Sequence, residues 1–464
     1  MTKEDPQPCE RCKQLEKELQ EALEANEQLR KQLATARKDS TTSSKPPSSD
    51  IVKPPKPPPE GDGRRKIGGQ PGHPPHFRTP FPPEQITNCV PYRLTHCPDC
   101  QRPLENTPQP PAVVQQIDLN TLSFTIEEHK SYSSWCPHCQ KCFAAPLPGH
   151  IANGGLLGPQ LTALVAYLKG VCHASFSTIR KFFRDVLGVP ISRGQLSNVI
   201  QKVSAALEAS YDELLDKLPD QDIVNGDETG HKFKGERWWT WCFRAELFVL
   251  YHIDARRSAD VLMEVLGKDF EGVLGCDCFS AYRRYMRECD IALQFCLAHL
   301  IRDVKFLTTL SQSADRAYGE RLREELRQLF HLIHEHDQYV PEEFRRRLQV
   351  QRRKIISCGT RDVPSGRPCQ AMAKRLSKYG DSYFTFITTP GIEPTNNLAE
   401  QAIRFVVIDR HITQGTRSEG GNRWSERIWT VVATCALTGQ SVFTFLLASV
   451  RAYWSGAPPM SLLG

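Results

Sequence analysis

Apolar residues recur at heptad spacing in residues 13–37, a segment that contains no Pro or Gly. A helix there carries one apolar seam, formed by Leu15, Leu19, Ala22, Leu29, Leu33 and Ala36, with Asn26 at an a position. Because a coiled coil buries such a seam between chains, the pattern predicts a homodimer or higher oligomer. The alternative is a solitary amphipathic helix that packs on its own domain.

Helical spacing returns in residues 156–215, in the runs LGPQLTALVAYLKG, FSTIRKFFRDVLG and SRGQLSNVIQKVSAALEAS. The second run stops at Gly188, and Ser192 is a suitable N-cap for the third. Two short helices joined by Gly-Val-Pro-Ile resemble a helix-turn-helix, whose final helix enters the major groove of DNA. We therefore predict a helical DNA-binding domain, although a plain three-helix bundle would show the same pattern.

The pattern becomes α/β in residues 220–455. Three strand-like runs, DIVNGDETG, WWTWCFR and LFVLYHI, precede a helix, SADVLMEVLG, and a fourth strand, FEGVLGCD. This order is typical of an RNase H-like core, which carries carboxylates on its first strand, at the end of its fourth strand and on a later helix. Mostly helical sequence at about 310–380 predicts an insertion in that core, and its basic run RRRLQVQRRK is either a solvated helix face or a DNA track.

Three carboxylates occupy the corresponding positions. Asp227 ends the predicted first strand, Asp277 ends the predicted fourth strand, and Glu400 lies in the first turns of the helix that TNN caps in TNNLAEQAIRFVV. Two Mg²⁺ (or Mn²⁺) ions held by such oxygens can activate a hydroxyl and neutralise a leaving oxygen in phosphodiester cleavage. We predict that these residues bind the catalytic metal and that Arg404, one turn after Glu400, contacts DNA phosphate.

Other carboxylates compete for these roles. Glu228 follows Asp227, but strand alternation points it to the opposite face. Glu393 precedes the helix of Glu400 and is a rival for the third position. Further rivals for the first two positions are Asp254, Asp260 and Asp269.

Residues 86–150 carry a zinc-binding pattern. Two CPxC knuckles each supply a pair of thiolates from one tight turn, and their four ligands are Cys97, Cys100, Cys136 and Cys139. The residues between the knuckles alternate as strands do, which predicts a zinc-ribbon domain with a structural Zn²⁺.

Two other cysteine groups are weaker candidates. Cys9 and Cys12 form a third pair with no partner knuckle, unless two chains of a parallel coil share one ion. A second zinc set, CxC…CxxH, comprises Cys276, Cys278, Cys296 and His299. Strand alternation points Cys276 and Cys278 away from Asp277, so these two thiols are expected to fill core space instead.

Residues 38–85 are predicted to be a Pro-rich basic linker, since thirteen of the chain's 34 prolines lie there. Within it, RRKIGGQPGH places three cations, Arg64, Arg65 and Lys66, before glycines. A basic, flexible arm of this kind suits contacts with DNA phosphates or a minor groove. A solvated charge cluster in the linker is the alternative.

Composition narrows the class of protein. The 464 residues are 39% hydrophobic and 24% charged, with a net charge of +6, which is ordinary for a globular protein and leans mildly toward anionic partners. No run approaches the roughly 20 apolar residues of a membrane span. The first residues, MTKEDPQPCE, contain no apolar signal core, so a cytoplasmic location is expected. Seventeen cysteines in such a chain favour thiols and metal sites over disulfides.

Six motifs occur in a fixed order: RKIGGQPGH, the paired CPxC knuckles, GDETG, CDCFSAY, CLAHLIR and EPTNNLAEQAIR. In this order they resemble transposases of the insertion-sequence-66 type, over nearly the whole chain. The resemblance implies a DDE transposase whose catalytic triad is Asp227, Asp277 and Glu400. It also implies cleavage at element ends, strand transfer into target DNA, and small accessory proteins of the element as partners.

The chain departs from that family in two places. It has EPTNN where the family commonly has Asp-Asn-Asn, and Cys278 where a Gly commonly follows the second Asp. Neither change removes a triad carboxylate. The functional alternatives are a catalytically inactive zinc-finger and helix-turn-helix DNA-binding protein derived from a transposase, and a plain RNase H-like nuclease.

Overall fold

The computed structural model describes residues 10–36 and 146–464, with short stretches between them at 82–86, 89, 99, 126–129, 131–136, 138 and 140–144. The predicted sites outside the described residues are Arg64, Arg65, Lys66, Cys97, Cys100, Cys139 and Cys9, together with the side chains of Cys12 and Cys136. The chain divides into one unit of residues Met1–Pro54 and Ser131–Gly464 and a second of Pro55–Lys130.

Helix α1 (Glu10–Ala36) covers nearly all of the segment predicted as a coiled coil. Its sequence is rich in Glu, Lys, Gln, Leu and Ala, which have high helix propensity. Leu19 and Leu29, at predicted a and d positions, are 60% and 64% exposed. A single chain therefore leaves these apolar side chains uncovered.

A short hairpin includes Cys136 of the second CPxC knuckle. Strands β1 (Ser133–Cys136) and β2 (Lys141–Ala144) pair antiparallel, and Cys136 lies opposite Lys141. Gln140 has a positive φ of 51°, as the tight turn requires. Cys136 thus ends the first strand of a hairpin, and the zinc ribbon itself stays a prediction.

The next segment contains five helices: α2 (Gly149–Gly154), α3 (Pro159–Gly170), α4 (Phe176–Asp185), α5 (Arg193–Ala206) and α6 (Glu208–Lys217). Three helical runs were predicted; the third divides into α5 and α6, and α2 precedes the first. Ser192 is the N-cap of α5, as predicted from the sequence. Its Oγ accepts from Gln195 N at 3.1 Å, and its own N–H donates to Gln195 Oε1 at 2.9 Å, so the two residues form a capping box.

A five-stranded mixed sheet follows, with the order β5-β4-β3-β6-β7. Its strands are β3 (Ile223–Phe233), β4 (Glu236–Arg244), β5 (Val249–Asp254), β6 (Val273–Cys276) and β7 (Ala292–Phe295). The first three pair antiparallel, whereas β6 and β7 run parallel to β3. Helix α7 (Ala259–Val265) connects β5 to β6, and α8 (Ser280–Cys289) connects β6 to β7.

Strand β3 is longer than the sequence suggested, and the expectation that it ends at Asp227 was wrong. It continues to Phe233 because β4 pairs with it as far as Phe233↔Glu236. The two-residue turn between them has Lys234 at φ 51° and Gly235 at φ 90°. Positive φ at both positions matches the twist of a tight hairpin, so the chain can fold back there rather than at Asp227.

Helix α9 (Leu297–Leu307) follows β7, and three further helices fill the region predicted as an insertion: α10 (Ser313–His334), α11 (Pro341–Thr360) and α12 (Arg367–Tyr379). The basic run at 345–354 lies on α11. Arg346 and Arg347 pair with Glu343 at 2.8 Å, and Leu348 is buried. Part of this run is therefore neutralised on the helix itself.

The chain ends with α13 (Asn397–Thr413), α14 (Glu419–Thr438) and α15 (Val442–Ser455). Helices α3 and α5 pack on α14 and α15, so residues of the helical segment share one hydrophobic core with the sheet. No helix in the described part of the chain is long and apolar enough to cross a membrane.

Candidate active site

Asp227 and Asp277 extend from neighbouring parallel strands. Strands β3 and β6 pair as far as Asn225↔Gly275, and each aspartate lies two residues beyond that pair. Asp277 follows the last residue of β6, close to the position expected for it, whereas Asp227 lies within β3. Asp227 Oδ1 accepts from Glu228 N and Asp277 Oδ1 accepts from Phe279 N, both at 2.9 Å.

The two aspartates lie in a strongly anionic environment. Burial, followed by the charges of Glu228 and Asp277, raises the pKa of Asp227 well above its ordinary value. Burial and then the charge of Glu228 raise the pKa of Asp277 to about 7. The charge of Glu400 raises both pKa values further. The three predicted carboxylates are thus close enough to repel one another.

Glu400 lies in the first turn of α13, and its side chain is 27% exposed. Its Oε1 is 3.4 Å from Arg302 Nη2 and 3.6 Å from His299 Nδ1. Burial, then the charges of Arg302 and Arg375, lower the pKa of His299 to about 3. Glu400 therefore has a cationic neighbour and a neutral imidazole beside it at neutral pH.

The sequence reading missed these two neighbours of Glu400. Both lie in the motif CLAHLIR, where Cys296, His299 and Arg302 recur every three residues and so share one side of α9. That helical spacing, directly after a buried strand, was the available signal.

Asn396 is the N-cap of α13, but its side chain makes no capping hydrogen bond, contrary to expectation. It is buried and connects α13 to the strand of Asp227. Its Nδ2 donates to Gly226 O at 2.8 Å, and its Oδ1 accepts from Asn225 Nδ2 at 3.0 Å. A Cβ at Gly275 would lie 2.4 Å from Asn225 Nδ2, so only a glycine there leaves room for this amide pair.

Glu228 is buried and fully engaged by its neighbours. Arg257 donates to its Oε1 at 2.6 Å and 2.9 Å, and Tyr282 Oη donates to its Oε2 at 2.6 Å. A carboxylate held in this way contributes charge to the site, while its oxygens are occupied by protein donors.

The remaining rivals lie at the surface or in ion pairs. Asp254 pairs with Arg256 at 2.9 Å, and Asp260 pairs with Arg284 at 3.3 Å. Glu393 and Asp269 are exposed.

The four residues considered for a second zinc site lie in two separate groups. Cys276 is fully buried and Cys278 packs against the core, as strand alternation suggested. Cys296 and His299 instead approach Glu400. Among the described residues, these three form the group whose potential ligand atoms all lie within 4.8 Å of one another. The three predicted catalytic carboxylates do not all lie within that distance of one another.

Arg404 is exposed on α13, four residues after Glu400. It forms no ion pair with the part of the chain that the structure describes. It is therefore available to an anionic partner, and its predicted contact with DNA remains a prediction.

The mixed sheet, with Asp227 within β3 and Asp277 just beyond the adjacent strand β6, is consistent with a protein that processes nucleic acids. Residues 154–423 match the model of the family described as "Transposase IS66 family". This match covers more than half of the chain, which therefore belongs to the IS66 family of transposases.

Two curated proteins of Sinorhizobium fredii are similar to this chain. The uncharacterized protein y4qI is 24% identical over 346 residues, which is 67% of this chain and 62% of y4qI. The uncharacterized protein y4hP is 23% identical over 367 residues, which is 70% of this chain and 64% of y4hP. The chain thus spans somewhat less than two thirds of the length of these relatives.

Proposed function

We propose that this chain is a DDE transposase with an RNase H-like core, which cleaves DNA at the ends of an insertion element and joins the freed 3′ hydroxyl to target DNA. The observation that carries the proposal is the position of Asp227 and Asp277 at neighbouring parallel strands, where burial and the charges of nearby carboxylates, Glu400 among them, raise both pKa values. Family membership and the sheet order support the same function.

The donor set fits Mg²⁺ or Mn²⁺. Carboxylate oxygens are the ligands that these hard cations prefer. Burial, followed by repulsion from nearby carboxylates, raises the pKa values of Asp227 and Asp277, and a bound cation would relieve both effects. Ions in two-metal sites lie roughly 3.5–4 Å apart, so their ligands span a wider area than those of one ion. When bound, such ions activate the attacking hydroxyl and neutralise the leaving oxygen.

In this proposal, Asp227, Asp277 and Glu400 hold the metal. Arg302 contacts Glu400 and keeps its carboxylate on the side of α9. Asn396 holds the start of α13 against β3, and this contact sets the position of Glu400 relative to Asp227.

The other predicted parts belong to the same proposal. A structural Zn²⁺ on Cys97, Cys100, Cys136 and Cys139 would order the ribbon, and Arg64, Arg65, Lys66 and Arg404 would contact DNA. The chain would act in the cytoplasm as a dimer or higher oligomer, with accessory proteins of the element as further partners. Exposed Leu19 and Leu29 on α1 support the oligomer.

Strand transfer by purified full-length protein tests the catalytic assignment. The substrate is a labelled duplex that carries the ends of the encoding element, in the presence of Mg²⁺. Asp227→Asn, Asp277→Asn and Glu400→Gln each remove one anionic ligand with little change of shape. Each should lower the rate by several orders of magnitude, while duplex binding persists because it depends on Lys and Arg contacts with phosphates.

Glu393→Gln is the matched control, because Glu393 is an exposed carboxylate just before α13. Its activity should stay within about tenfold of wild type, as is usual for surface changes away from the chemistry. An inactive Glu393→Gln beside an active Glu400→Gln would show that Glu393, and not Glu400, is the third ligand. A wild type that binds element ends but never cuts them would favour the inactive DNA-binding alternative.

A further inference from the structure

A cavity of about 320 Å³ lies at the beginnings of α7 and α8. Its volume is near the lower end of the roughly 300–1,000 Å³ range of ligand pockets. Four of its nine lining residues are arginines and none is acidic; the arginines are Arg257, Arg283, Arg284 and Arg287. Nothing in the proposed chemistry at the three carboxylates uses this cavity.

Two of these four charges are neutralised by neighbouring carboxylates. Arg257 Nη2 is 2.6 Å from Glu228 Oε1, and Arg284 lies 2.8 Å from Glu288 and 3.3 Å from Asp260. These contacts fix the two guanidinium groups in place and use most of their charge within the protein.

Arg283 and Arg287 have no such partner. Neither forms an ion pair with any residue that the structure describes. Arg283 lies over the ring of Tyr379 at 5.4 Å, and its Nε is a buried donor without an acceptor among the described residues. A buried donor without an acceptor costs free energy that an anion would recover. The cavity therefore has about two uncompensated positive charges.

The cavity also lies close to one of the proposed catalytic carboxylates, Asp277, whose pKa the charge of the lining residue Arg257 lowers. Ser280, in its wall, is three residues after Asp277 and opens α8, whose first-turn N–H groups favour anions. Arg257 lines the cavity and binds Glu228, the neighbour of Asp227 in sequence. A strand whose scissile phosphate lay at Asp227 and Asp277 would pass close to this opening.

We propose that this cavity binds a backbone phosphate of the DNA strand that is cut or joined, with Arg283 and Arg287 as its principal contacts. The inference rests on the proposed function for the identity of the strand. The charge of the pocket excludes a cationic ligand, and its size suits one phosphodiester unit. The bound phosphate would hold the neighbouring linkage in register with the carboxylates.

DNA binding by the full-length chain, without added Mg²⁺, tests this proposal independently of catalysis. Arg283→Ala/Arg287→Ala should reduce the slope of log K against log salt by about 0.9 for each lost phosphate contact. At fixed salt the affinity should fall roughly tenfold or more, as expected when charge-assisted hydrogen bonds are removed. Arg323→Ala/Arg451→Ala is the matched control, since it removes two exposed arginines outside the cavity and should change the slope less.

A set of duplexes, each with one neutral methylphosphonate linkage, identifies the contact. When the neutral linkage replaces the phosphate held in the cavity, wild type and the control variant should bind more weakly than they bind unmodified DNA. The cavity variant, which already lacks that contact, should bind both duplexes equally. Arg283→Lys/Arg287→Lys keeps the charge and should largely restore the salt slope, which separates a binding defect from a folding defect.

Three results would overturn the inference. The cavity and control variants could have equal salt slopes, or the affinity losses from the cavity variant and from a neutral linkage could be additive at every linkage. The third result is that the cavity arginines bind free phosphate but no linkage of the DNA. In that third case, inorganic phosphate would raise the thermal unfolding temperature of wild type but not of the cavity variant, and affinity losses would be additive at every linkage. If the affinity losses are non-additive at one linkage but the protein never transfers strands, the phosphate site is supported and the proposed catalysis is contradicted.

Discussion

Asn396 joins two of the proposed catalytic elements at the level of single atoms. Its amide donates to Gly226 O and accepts from Asn225, so it contacts the backbone next to Asp227. Its own N–H lies 3.2 Å from Cys296 Sγ, at the start of α9. One buried side chain thus links the strand of Asp227 to the helices that carry Glu400 and its neighbours.

We predict that Asn396→Ala lowers the rate of strand transfer by more than its loss of folding stability accounts for. The change leaves Gly226 O and Asn225 Nδ2 without partners, at a cost of about 1–3 kcal/mol for each buried group. It also removes the contact that fixes α13 relative to β3, and small displacements of catalytic groups are costly in rate. Thermal unfolding and strand-transfer rates on the same preparation measure the two effects.

Asn397→Ala is the control, because Asn397 follows directly and is exposed. It should change neither quantity appreciably. Equal losses of activity in the two variants would show that the amide pair has no special role in placing Glu400.

At the scale of elements, side chains of α14 accept hydrogen bonds from the backbone of the edge strand β5. Glu426, Thr430 and Thr434, spaced four residues apart, accept from the N–H groups of Ile253, Tyr251 and Val249 at 2.6 Å, 3.1 Å and 3.1 Å. Four residues of helix advance about 6 Å and two residues of strand about 6.8 Å, so the two ladders stay in step. The edge strand β5 is thereby protected from pairing with another chain.

Glu426 should make the stability of the core depend on pH. Burial raises its pKa from 4.5 to about 7, so the folded protein holds this proton more tightly than the unfolded chain does. Its contribution is complete below pH 4.5 and is lost as the pH rises to about 7. Urea denaturation between pH 5 and pH 7.5, a range set by this linkage, should therefore show a steeper fall for wild type than for Glu426→Gln.

Two variants separate the titration from the hydrogen bond. Glu426→Ala leaves Ile253 N–H without an acceptor and should destabilise the fold by about 1–3 kcal/mol relative to Glu426→Gln. Thr430→Val removes one acceptor of the same ladder but titrates nothing, so its pH slope should equal that of wild type. A Glu426→Gln slope identical to wild type would mean that other groups cause the pH dependence.

At the scale of the whole molecule, helix α1 has apolar side chains that a single chain leaves exposed. Its apolar side chains at Leu19 and Leu29 are largely exposed, although they lie at the predicted a and d positions. A helix with an exposed apolar seam gains by packing against a second copy.

We predict that Leu19→Lys/Leu29→Lys lowers the particle mass in light scattering to that of one chain, because two charges in the seam oppose pairing. Gln20→Lys/Gln28→Lys adds the same charge at b and c positions, outside the seam, and should keep the oligomer. An unchanged mass in the seam variant would place the contact between chains elsewhere.

Local patterns in the sequence were sufficient to predict the kinds of elements and their order. The helical runs of residues 156–215, the cap at Ser192 and the succession of three strands, a helix and a fourth strand all appear in the structure. Each depends on contacts within a few residues, because the periods of helices and strands and the requirements of caps are local properties. The positions of Asp277 and Glu400 followed from that order.

Only the tertiary structure decided how these residues are held. Asn225 and Asn396 are 171 positions apart, and Arg302 and Glu400 are 98 apart, so no local pattern relates them. The extension of β3 beyond Asp227 depends on pairing with β4, and the raised pKa of Asp277 depends on burial and on the nearby charge of Glu228. Periodicity therefore determines which residues form a strand or a helix, whereas burial and long-range pairing determine which side chains meet and how their charges interact.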